Sequence, residues 1–75
     1  MYRTIRWYYP HGDEWEAMEC TVKEWNNLEK AIAYCHRYSK GVRFVSAEIE
    51  DECGEQIYEL LADGTVTMNI PEILN

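Results

Sequence analysis

Seventy-five residues and 8.9 kDa allow one domain, residues 1–75, and no more. Hydrophobic residues make up 47%, aromatics 13% and charged residues 28%, which excludes a disordered polar tail or a low-complexity segment. Acids outnumber Lys plus Arg by 14 to 7, and a net charge of −7 argues against nucleic acid as a ligand, because counterion release needs clustered basic residues.

Tyr2 to Tyr9 reads as a strand, rich in aromatic and β-branched residues, with Ile5, Trp7 and Tyr9 on one face and Thr4, Arg6 and Tyr8 on the other. Pro10-His11-Gly12-Asp13 is a turn by composition. Alternation resumes over Glu14 to Val22, so a hairpin is expected. Leu28 to Lys40 reads as the helix, with Leu28, Ala31, Ile32 and Cys35 on one stripe. Asn26-Asn27-Leu28-Glu29 offers an N-cap asparagine with a glutamate three residues on, and Gly41 suits the C′ position. A competing start at Thr21-Val22-Lys23-Glu24 would put both asparagines inside the helix, at roughly 0.5 kcal/mol or more each. Val42 to Glu50 and Gln56 to Leu61 follow as strands joined by Asp51-Glu52-Cys53-Gly54. Ala62-Asp63-Gly64 is a further turn before a short strand at Thr65 to Met68, and the residues after Pro71 are expected to fray. The order β-β-α-β-β-β predicts an α+β fold: an antiparallel sheet of four to five strands with one helix packed on one face.

The thiols Cys20, Cys35 and Cys53 are odd in number, and Met1 to Trp7 has no signal-peptide pattern. Free thiols in a reducing cytoplasm are the expectation, with no membrane segment, since no apolar run approaches about 18 residues. A chain this short buries only about 60% of its extended surface. Trp7, Trp15, Trp25, Phe44 and six tyrosines stand in for a disulfide staple, and most belong in the core.

Catalytic patterns are missing: there is no Gly-rich phosphate loop, GxSxG or HExxH, and no CxxC or EF-hand spacing. The reading is a non-enzymatic protein with no cofactor and no metal. Cys53 sits among carboxylates that disfavour a thiolate, and Cys35 reads as a small core residue.

Charge is unevenly placed. Residues 1–43 carry a net +1, whereas residues 44–75 carry −8 and contain no Lys or Arg. Lys30, Arg37, Lys40 and Arg43, with His36, form a basic patch around the helix end, where Arg37 and Lys40 suit the helix dipole. Glu48, Glu50, Asp51, Glu52, Glu55 and Glu59 are the candidate partner-binding residues. One reading is a solvated face that keeps the protein soluble. The other is a negative surface for a basic, nucleic-acid-binding partner, with carboxylates in the places of phosphates.

In size, in its plan of one helix against a short antiparallel sheet, and in the acidic stretch Glu48-Ile49-Glu50-Asp51-Glu52, the chain resembles the small phage-encoded anti-CRISPR proteins. The resemblance is one of type, without a shared motif, and carries over no residue roles. It implies an inhibitor that occupies the nucleic-acid-binding surface of a CRISPR effector complex, in the manner of a DNA mimic. The alternative is a small self-associating structural or protein-interaction module, pairing through a free sheet edge. A monomer is expected over a dimer.

Overall fold

The computed structural model describes residues 1–13, 15–37, 39 and 43–69. They form β1 (Tyr2–Tyr8), β2 (Glu19–Trp25), α1 (Leu28–Arg37), β3 (Phe44–Glu50), β4 (Gln56–Leu61) and β5 (Val66–Met68). The sheet is antiparallel and five-stranded, in the order β2-β1-β3-β4-β5. The α+β plan read from the sequence is the plan observed.

Several boundaries move; β1 ends at Tyr8 rather than Tyr9, and β5 begins at Val66 rather than Thr65. The second strand begins at Glu19 rather than Glu14 and runs on to Trp25. Local hydrogen bonds hold the preceding segment out of the ladder: one Glu16 carboxylate oxygen accepts from the N–H groups of His11 and Asp13, at 2.9 and 3.1 Å, and Asp13 accepts from the N–H of Trp15 at 3.1 Å. The helix is described from Leu28 to Arg37. Lys40, and the readings made for Gly41, Val42 and Pro71, lie outside the described residues. Asn27 is the N-cap, its Oδ1 accepting from Lys30 N–H at 3.0 Å.

Helix α1 lies over β1 and reaches β2 on one side and β3 on the other. Its stripe of Ala31 and Cys35 is fully buried against Phe44, Ala47, Ile49, Ile57, Tyr58 and Leu60, with Leu28 and Ile32 packed beside them. Two ladder irregularities fit this core. Val45 is skipped between the pairs Trp7–Ser46 and Tyr8–Phe44, and Ile57 between Ile49–Tyr58 and Glu50–Gln56. The second of these bulges lets the consecutive residues Ile57 and Tyr58 both be buried, which strict alternation would forbid. Gly54 and Gly64 close the two hairpin turns with φ of 81° and 92°, a region that suits glycine.

The covered face of β1 is the more polar one. Thr4 is fully buried beneath α1, where its hydroxyl accepts from the Trp25 indole N–H at 3.0 Å and donates to the Lys23 carbonyl at 3.3 Å. Trp25 leans on Tyr34 with ring centroids 5.0 Å apart, and the Lys23 ammonium lies over both rings. On the other flank His36 bonds the Tyr58 hydroxyl at 2.6 Å. These two flanking contacts fix the helix across the sheet.

Candidate interaction surface

Among the described residues, the opposite sheet face carries no helix. Strand pairing arranges its side chains in rows. One row runs Glu24–Arg3–Glu50, the next Val22–Ile5–Glu48–Glu59–Thr67, and a third Cys20–Trp7–Ser46–Leu61. The β2–β1 half is therefore mainly apolar, and the β3–β4 half is acidic. Val22 is 53% exposed and Leu61 36%, so this face presents apolar surface to solvent.

Glu48 and Glu59 stand directly opposite each other. Like charges in that relation cost a few tenths to about 1 kcal/mol. Glu48 is half-buried, and loss of hydration holds its carboxyl above the usual range; a hydrogen bond from Trp7 works against that, and the charges of Glu59 and Glu50 reinforce it. Glu50 has a cation beside it, the Arg3 guanidinium at 3.4 Å.

The six candidate acids divide into two groups. Glu48, Glu50 and Glu59 share the uncovered face. Asp51, Glu52 and Glu55 lie in and beside the β3–β4 turn. Asp51 braces that turn, because its Oδ1 accepts from the N–H groups of Cys53 and Glu55, both at 2.9 Å. Glu52 is bonded to the amino terminus at 2.8 Å, and that bond holds its carboxyl below the usual range. Glu55 is exposed. Closeness along the chain groups these acids but does not point to the apolar half of the surface. The alternation of Ile5 with Trp7 and of Cys20 with Val22 is visible in the sequence, but nothing in it tells which face the helix covers.

No protein-family model, no curated protein and no solved structure matches this chain. What the surface can do therefore rests on its own chemistry. Among the described residues, no three His, Cys, Asp or Glu side chains come together as metal ligands, and no helix is long and apolar enough to cross a membrane. Cys20, Cys35 and Cys53 are unpaired. Burial pushes the Cys35 thiol up to about 11.

On the other side of the molecule, a hollow of about 310 Å³ is lined by Trp25, Lys30, Ala33, Tyr34 and Arg37. Positive charge and aromatic surface thus lie by the helix, and negative charge lies on the bare sheet.

Proposed function

We propose that this protein is a non-enzymatic binding protein whose uncovered sheet face occupies a basic, nucleic-acid-binding surface of a partner such as a CRISPR effector complex. The directly opposed pair of Glu48 and Glu59 carries this reading. A marginally stable domain keeps two mutually repelling carboxylates on a face with apolar surface beside them. A basic partner relieves that repulsion, and Val22, Ile5 and Trp7 supply apolar area next to the charge. Arginines or lysines that normally hold phosphates would meet Glu48 and Glu59, with Glu50 and Glu55 at the margin. Asp51 and Glu52, already engaged within the chain, contribute field rather than contact.

The experiment is a DNA-cleavage assay with purified CRISPR effector complexes, in which wild-type protein is compared with the double variant E48K/E59K. Inhibition by the wild type that weakens above roughly 0.15 M salt and is lost in the variant supports the reading. Inhibition that survives the double reversal would overturn it.

A further inference from the structure

The sheet has a long bare edge. Strand β2 is seven residues long, contains no proline, and pairs with β1 without a bulge. Natural edge strands are normally blunted by such devices or by lysines pointing along the edge. Here the single lysine, Lys23, is drawn over the rings of Trp25 and Tyr34 instead. The strand's backbone is paired with β1 on one side, and the Lys23 carbonyl also accepts from the Thr4 hydroxyl.

We infer that β2 pairs antiparallel with β2 of a second copy of this chain, about a two-fold axis at Thr21. Charge decides the register. Centred on Thr21, Glu19 stands opposite Lys23 of the partner subunit, and the symmetry repeats the pair. Cys20 then faces Val22 of the partner subunit on the bare side of the sheet. Among pairings that keep both helices on one side, centring on Val22 or Cys20 makes no ion pair, and centring on Lys23 opposes two lysines.

The layers allow it. With α1 over β1 in each copy, the helices lie three strand spacings apart, roughly 14 Å, against the 8–10 Å of packed helices. The cleft left between them is flanked by the hollow of Trp25, Lys30, Ala33, Tyr34 and Arg37. The same axis carries the loop before β2, with Trp15 at 92% exposure, toward that hollow in the other subunit. An indole entering the cleft accounts for the exposed ring. The acidic half, across the sheet at β3–β4, stays uncovered, so this inference and the proposed function stand or fall separately.

This departs from the monomer expected on the sequence, and sedimentation equilibrium tests it. A dimer at roughly 100 μM or below is expected for the wild type. Glu19→Lys sets lysine against lysine without disturbing the Trp25–Tyr34 contact, and should raise the dimer dissociation constant about tenfold or more. The swap E19K/K23E should recover most of that loss, and Trp15→Ala should also weaken the dimer. Slower amide exchange along β2 at higher protein concentration supports the same pairing without mutation. A wild type that stays monomeric, an E19K variant that dimerises as well as the wild type, or a swap that recovers nothing would overturn it.

Discussion

Glu48 on β3 and Glu59 on β4 face each other across the ladder, on the side of the sheet that α1 leaves bare. This pairing joins the local alternation of two strands to the electrostatics of the surface. It also makes the folded state sensitive to pH in a definite direction.

Glu48 is expected to lower stability at neutral pH. Its folded-state pKa is raised, first by burial. As pH falls, the folded protein takes up this proton before the unfolded chain does. The resulting contribution is fully present below the unfolded value and is lost as pH rises through the folded one. Glu48→Gln should therefore stabilise the protein by about 0.5 kcal/mol at pH 7, on the scale of cross-strand charge pairs. The gain should fade toward pH 4. Urea unfolding of wild type and variant at both pH values checks this. Comparing the two proteins isolates Glu48 from Glu52 and Asp63, whose carboxyls shift the opposite way. An equal gain at both pH values would show that charge is not the cause.

The Thr4–Trp25 bond should be worth more than its exposed neighbours. Thr4 is fully buried, and its hydroxyl both accepts from the indole and donates to the Lys23 carbonyl. Thr4→Val keeps the shape but leaves the Trp25 N–H without its acceptor, at a cost of about 1–2 kcal/mol. Thr4→Ser should retain most of the stability. Denaturant midpoints for the two variants, followed by tryptophan fluorescence, distinguish a lost hydrogen bond from lost packing.

The helix stripe and β4 are readable in the sequence because their signals are local. Ala31 and Cys35 repeat at helical spacing, and Gln56 to Leu61 is bounded by turns that end in Gly54 and Gly64. The placing of β1 between β2 and β3 is not readable, since it rests on contacts between distant parts of the chain. The alternation of Glu14 to Val22 suggests too early a second strand because it hides the side-chain hydrogen bonds of Asp13 and Glu16, which engage the backbone of His11, Asp13 and Trp15 before the strand begins at Glu19. The acids are a similar case. Closeness along the chain suggests one patch, but the turn engages Asp51, and Arg3 and the amino terminus come from the far end of the sequence to meet Glu50 and Glu52.

The three thiols should separate cleanly by reactivity. Cys20 and Cys53 are exposed, whereas Cys35 is buried in the core with its pKa pushed up to about 11. The thiolate is the reacting form, so Cys35 combines low access with a small thiolate fraction. Titration with a chromogenic disulfide at pH 8 should modify Cys20 and Cys53 quickly. Cys35 should react only after denaturant is added. Rapid reaction at all three positions in the native protein would mean that the helix does not seal this part of the core.

The helix start offers a sharper comparison, because two adjacent asparagines compete for the cap. Asn27 Oδ1 accepts from the Lys30 N–H, and its carbonyl accepts from Ala31 N–H at 3.1 Å. Asn26 is exposed and stands one residue outside the cap. Asn27→Ala leaves a first-turn N–H without its acceptor and should cost about 1 kcal/mol. Asn26→Ala should fall within about 0.5 kcal/mol of the wild type, as surface substitutions away from such features do. Thermal unfolding by circular dichroism measures both. Equal losses would mean that the helix frays back to either asparagine, and a larger loss at Asn26 would move the start of α1 one residue earlier.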